Sequence, residues 1–208
     1  SLPPTRSFQY LTDDYLDPRT GLRFDVGYQD HKSYNLNEPD FYTFNYNILG
    51  YFPMGKFDTL VLNYYQSDAH VKRQGNTDPG SIRAELGASC APTDTQCLTT
   101  EQELVDNFIN ARTYGTSAAL GGDLRMRSFP QGRYQGAHSA FIGAEYRWNI
   151  NQQVKPFDYF IWKDTRTGLQ MAFFSEVGTV SERSSQLWDE TRYSIGAGIR
   201  LVAASGAV

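Results

Sequence analysis

Residues able to do chemistry are few in this chain, and they are poorly spaced for it. The three histidines, His31, His70 and His138, stand far apart. None has a second His, a Cys or a carboxylate at ligand spacing, so they do not read as metal ligands. No Gly-x-Ser-x-Gly elbow and no phosphate-cradling glycine loop occurs in the sequence,. Asp13, Asp14 and Asp17 could offer oxygens to calcium, but they flank the Pro18-Arg19 turn and read as a solvated loop. Cys90 and Cys97 bound the short polar stretch CAPTDTQC. That pair reads better as a disulfide than as half a metal site, two loop thiols being the alternative. A disulfide would set the loop in an oxidising compartment. The expectation is a protein that is not an enzyme, with no catalytic residue, no metal site and no cofactor.

What the sequence does supply is alternation of period two, which sends successive side chains to opposite faces of a strand. In TGLRFDVGYQD, Leu22, Phe24, Val26 and Tyr28 share one face, and Arg23, Asp25, Gly27 and Gln29 the other. In HSAFIGAEYRWNI, Ala140, Ile142, Ala144, Tyr146, Trp148 and Ile150 oppose Gly143, Glu145, Arg147 and Asn149. In RYSIGAGIRLVA, Tyr193, Ile195, Ala197, Ile199 and Leu201 oppose Ser194, Gly196, Gly198 and Arg200. LQMAFFSEVGTV sets Leu169, Met171, Phe173 and Val177 against Phe174, Glu176 and Gly178. Segments 41–52 and 57–66 alternate less cleanly but are dense in Tyr, Phe and Leu. The charges of Glu145, Arg147 and Arg200 read as wall lining or cross-strand pairs.

The composition fits this pattern. The chain has 208 residues, 40% hydrophobic and 20% charged, with a formal net charge of -4. Mean hydropathy is -0.51, and no window approaches the ~18 consecutive apolar residues of a membrane-spanning helix. Scattered Lys and Arg argue against a nucleic-acid partner. Yet Tyr 14, Phe 13 and Gly 18 are abundant, as in β-rich proteins and in transmembrane barrels, whose strands face water on one side. The segments run to about the ~9–11 residues that cross a bilayer obliquely. Residues 51–56 form a tight turn, whereas 69–136 form a long polar excursion. Short turns at one end and long loops at the other belong to outer-membrane barrels. A soluble sandwich or lipocalin-like barrel also alternates. Glycines on the polar faces, rather than Lys, Glu and Thr, tilt the reading toward the membrane.

The stretch LGGDLRMRSFPQGRY (120–134), together with GAEYRW, FFSEVGTV, YSIGAGIRLVAASG and the opening DPRTGLRFDVGY, resembles the barrel domain of the BamA/TamA-like bacterial surface antigen superfamily. The likeness runs over most of the chain and is weakest at 76–110. In that family the longest loop folds into the barrel lumen and carries Val-Arg-Gly-Phe/Tyr at its tip, matched here by Met126, Arg127, Ser128 and Phe129. A later strand carries Phe-x-Asp-x-Gly, matched by Phe174, Glu176 and Gly178. The resemblance implies that Arg127 reaches the inner wall and pairs with Glu176. Gly178 would leave room for the loop, and Phe129 or Phe174 would cover the guanidinium. Gly121 and Gly122 read as the loop's hinge. Ser128 in place of Gly and Glu176 in place of Asp mark a divergent member.

The expected fold is all-β, an antiparallel transmembrane β-barrel with six to eight strands in residues 1–208 and a long luminal loop. The implied function is insertion or translocation of other outer-membrane or secreted polypeptides in the bacterial outer membrane. The implied partners are outer-membrane lipid, client polypeptides, and accessory lipoproteins or other subunits of a barrel complex. No signal-peptide pattern occurs, and the family continues for two more strands beyond SGAV, so the chain is expected to be the C-terminal part of a longer protein. A passive pore, a barrel anchor of an exported enzyme and a soluble β-sandwich binding module are the alternatives.

Overall fold

A computed structural model describes residues 5–13, 17–87, 89–150, 157–159, 162–165, 167–203 and 206–207. In chain order the elements are β1 (Thr5–Thr12), β2 (Gly21–His31), β3 (Asp40–Met54), β4 (Asp58–Arg73), α1 (Pro79–Leu86), α2 (Thr95–Tyr114) and β5 (His138–Asn149). There follow β6 (Phe157–Tyr159), β7 (Trp162–Thr165), β8 (Thr167–Ser181), β9 (Arg192–Ala203) and β10 (Gly206–Ala207). One antiparallel sheet of eight strands has the order β1-β2-β3-β4-β5-β8-β9-β10. Its last strand is only two residues long. The short β6 and β7 pair with each other apart from it.

All six alternating segments are strands, as β2, β3, β4, β5, β8 and β9. The closed barrel is not present: among the described residues β1 and β10 lie at opposite edges of the sheet and do not pair. Closure takes about eight long strands, and one of the eight here is a two-residue stub. The sheet is nevertheless curled. Asp13 closes the loop before β2 at its base, its carboxylate accepting from Arg19 N–H and Thr20 N–H, both at 2.9 Å. The tip of such a loop lies at most ~14 Å from its base. Five strand spacings of a flat sheet, from β2 to β9, are ~24 Å. Yet Asp17 in this loop lies 2.8 Å from Gln170 on β8 and 3.5 Å from Arg200 on β9. The sheet therefore bends toward this face, which is its inner face.

The two faces invert the usual order of a soluble sheet. On the outer face Ile195 is 75% and Ile199 72% exposed, and Leu22, Phe24, Leu62, Ile142, Trp148 and Phe173 are exposed as well. On the inner face Thr43, Thr59, Ser67, Ser139, Gln170, Glu176 and Ser194 are buried. Register aligns the apolar side chains across strands: Phe24 opposes Ile48, Ile48 opposes Tyr64, Tyr64 opposes Ile142, and Ile142 opposes Val177. Toward the other end of β4 this face turns polar and aromatic. Tyr46 and Tyr64 hydroxyls each donate to Gln66 at 2.6 Å, and Gln66 donates to Asp68. Lys72 pairs with Asp30 at 2.8 Å.

The stretch expected to be a loop from residue 69 is largely structured. β4 continues to Arg73, and two helices follow. Both helices begin at an aspartate cap. Asp78 accepts from Ser81 N–H at 2.7 Å with Pro79 in the first turn, and Asp94 accepts from Cys97 N–H at 3.0 Å,. Gly87 closes α1 in the left-handed conformation,. Cys90, in the connection after α1, and Cys97, in the first turn of α2, are joined in a disulfide. Closing so short a segment is worth roughly 2–3 kcal/mol in chain entropy. Reduction should therefore loosen α1 and α2 while leaving the sheet intact, a result readable as faster amide exchange confined to 79–114.

Candidate functional site: a loop pinned to the inner face

Residues 115–136 leave α2 and cross the inner face before entering β5. Both ends are tied down. Ala118 N–H donates to Ser67 Oγ at 3.1 Å, Ser139 donates to Ala118 O at 2.7 Å, and Ala69 N–H donates to Ala137 O at 2.8 Å. Ala137 N–H also donates to Glu182, whose carboxyl is pushed above the ordinary range by burial. Between these ties, Leu120 and Met126 are buried against Tyr65 of β4 and Phe141 of β5, forming the core of the protein. The loop therefore lays its apolar side chains on the apolar residues that this otherwise polar inner face carries.

Gly121 and Gly122 do not form a slack hinge. At φ 109° and 106° they occupy backbone space that side chains rarely reach,. A knot of hydrogen bonds holds them: Gly121 N–H to Arg125 O, Gly122 N–H to Phe129 O, and a reciprocal pair between Leu120 and Tyr134. Met126 also takes positive φ, at 57°. That turn carries its side chain down into the core and presents Arg127 to β8.

Arg127 meets Glu176 twice. Its Nε lies 2.6 Å from Oε1 and its backbone N–H donates to Oε2 at 2.8 Å. Its Nη1 reaches Glu145 of β5 at 2.7 Å. Phe174, not Phe129, covers the guanidinium, at 3.7 Å from ring centre. Phe129 packs edge-on against Tyr134. Period two places Phe174, Glu176 and Gly178 on one face of β8, so one strand supplies the ring, the carboxylate and the space. A Cβ on Gly178 would come within 2.9 Å of both Leu120 Cδ1 and Met126 Sδ. Gly178→Ala should accordingly overpack this contact at a cost of about 1–3 kcal/mol, measured as lost protease resistance of the loop.

Ser128 uses the side chain that the resembling family lacks. Its N–H donates to Ser194 Oγ at 3.1 Å, Ser194 Oγ donates to its hydroxyl at 2.8 Å, and the hydroxyl reaches Ile195 O at 3.3 Å. The loop tip is thereby fixed to β9 as well as to β5 and β8.

Further side chains join this site, some of them read from the sequence as wall lining or cross-strand pairs (Glu145, Arg147 and Arg200) and some not (Asp17, His138 and Arg125). Glu145 also takes Arg147 at 2.9 Å, and Arg147 approaches Asp17 at 3.6 Å. Three arginines (127, 147 and 200) thus interleave with three carboxylates (17, 145 and 176), so the cluster is neutral. Asp17 is not the solvated residue its position suggested, because its partners lie far away in the chain and meet it through curling of the sheet. Nor is His138 isolated. Register across β4 and β5 sets its Nδ1 2.7 Å from Asp68 and its ring 6.4 Å from that of His70. Arg125, one residue before the motif, stacks on Tyr65 at 3.4 Å. Burial lowers the pKa of its guanidinium, an effect the Tyr65 hydroxyl partly opposes.

A comparison with known protein families finds no match, and no curated protein matches the chain.

Proposed function

We propose that this chain is part of an outer-membrane β-barrel of the BamA/TamA-like kind, which inserts or translocates other polypeptides. The observation that carries the reading is the inversion of the sheet: large apolar side chains on the outer face are exposed while Ser, Thr, Gln and Glu on the inner face are buried. A soluble sandwich would hide the apolar face; lipid makes it the stable outer surface. On β8 the outward residues from Leu169 to Val177 span nine positions, matching an oblique crossing,. The tyrosines beside this band suit the membrane interface.

Three features support the finer reading. The sheet is curled and wholly antiparallel, the arrangement from which such barrels are built,. A loop is held inside by Arg127 and Glu176, the pair the resemblance led us to expect. The Cys90–Cys97 disulfide suits a site beyond the reducing cytoplasm,. In this role Arg127 and Glu176 position the loop, and lipid, client chains and accessory subunits are the partners.

The test is client folding in proteoliposomes containing the full chain. An unfolded outer-membrane barrel should insert severalfold faster than into empty vesicles, and Arg127→Ala should remove most of the gain. Ion conductance with no acceleration of insertion would favour a passive pore and overturn the assembly role.

A further inference from the structure

The net charge of the chain is not spread evenly. Residues 74–114, which carry α1 and α2, hold six carboxylates and two arginines, an excess equal to the whole net charge of -4. Both arginines are engaged. Arg83 Nε lies 3.1 Å from Glu101 and joins the two helices, and Arg112 pairs with Glu38 and Glu85. Glu103 and Asp106 remain exposed, with no cation beside them among the described residues. The remainder of the chain is balanced, so the negative field gathers where the helices stand.

Between the helices lies an open groove of about 580 Å³, lined by Leu86 of α1, Leu104 of α2 and the Cys90–Cys97 disulfide, with Asp94, Thr100 and Glu101 alongside. Along α2, Cys97, Glu101, Leu104 and Phe108 recur at steps of four, three and four residues and so share one face,. That face is largely uncovered: Leu104 is 47% and Phe108 37% exposed. The helix is seated instead through Val105 and Arg112, buried on the neighbouring face. The apolar stripe is therefore left over once α2 is in place. The disulfide and the Arg83–Glu101 pair hold the groove's walls in a fixed shape, so little conformational freedom is lost when something fills it.

We propose that α1 and α2 form a docking site for a basic amphipathic helix of a partner protein. Its apolar side chains enter between Leu86 and Leu104 and continue toward Phe108, the spacing by which one helix receives another. Its Lys or Arg side chains meet Asp94 and are steered on approach by Glu103 and Asp106. The charge selects this occupant: an acidic partner, or the phosphates of lipid headgroups, would be repelled. The inference rests on the helices alone and stands whether or not the sheet meets lipid.

A labelled synthetic peptide with Leu at helical spacing and Lys between tests it, by fluorescence anisotropy with the full chain in non-ionic detergent. Empty micelles and the same peptide with Glu in place of Lys are the controls. The basic peptide should bind about tenfold tighter than the acidic one, a difference of ~1.4 kcal/mol, and should slow amide exchange within 79–108. Leu104→Ala should weaken binding about fivefold or more, as loss of an anchor contact does. Glu103→Gln combined with Asp106→Gln should slow association at low salt and make little difference at high salt. Each variant is to be checked for unchanged amide exchange in α2 without peptide. Binding no tighter than to empty micelles, equal binding of the two peptides, or an unchanged affinity in folded Leu104→Ala would each overturn the proposal.

Discussion

Arg127→Ala should release the loop from the inner face and destabilise it by about 3 kcal/mol, the low end for breaking a buried ion pair. The low end applies because the arginine side chain keeps 28% exposure while that of Glu176 has 1%. The larger part of the loss lies with the partner left behind. Glu176 sits beneath the loop, and without Arg127 Nε only a backbone N–H faces it. Glu145 retains Arg147 and is harmed less. Two consequences follow. Removing both charges, as in Arg127→Ala with Glu176→Gln, should cost clearly less than the sum of the single changes, with a coupling of about 1–3 kcal/mol. Proteolysis within 120–134 should accelerate while far-ultraviolet circular dichroism keeps its β signature. If Arg127→Ala and Glu176→Ala each left loop cleavage and heat-modifiability as in the wild type, the pair would have no part in holding the loop.

The second large effect is expected at Arg112, whose side chain is 2% exposed at the end of α2. Its Nη2 reaches Glu38 in the β2–β3 connection and Glu85 in α1, both at 2.9 Å, and its Nη1 donates to Asn76 O at 3.2 Å. One guanidinium thus ties both helices to the end of the sheet. Arg112→Ala deletes these bonds and leaves a void where the stem packed, at a cost of about 2–3 kcal/mol. Its effect should appear as rapid amide exchange through 95–114. Either glutamate alone matters less. Each is more than a third exposed, so solvent screens it and the other remains; Glu38→Gln or Glu85→Gln should cost ~1 kcal/mol or less. Equal losses from all three variants would contradict this arrangement.

The strands were legible because alternation is a local property, and strands such as β2, β5 and β9 display it within a dozen residues. The helices left fainter marks. Asp78-Pro79 and Gly87 bracket α1 with its start and stop signals,, but the surrounding polarity hid any periodic apolar face. At the site, Glu176 and Gly178 were readable as sharing a face. The meeting of Glu176 with Arg127, 49 residues away, came only through resemblance to a family. The contacts of Asp17 with Gln170 and Arg200 lie 153 and 183 residues apart, and no periodicity announces them, since they depend on how far the sheet curls. Arg125 gave no signal either. Its stacking on Tyr65 depends on where the loop crosses the sheet.

The central claim is that the exposed face of the sheet meets lipid. Spin labels placed singly along β9 in the full chain, reconstituted in vesicles, test it most directly. At Tyr193, Ile195, Ala197, Ile199 and Leu201, collisions with oxygen should be high and collisions with a water-soluble nickel reagent low. At Gly196, Gly198 and Arg200 the order should reverse, giving a period of two. Nickel access at the five outward positions, in a chain that stays folded and monodisperse without detergent, would contradict the membrane reading.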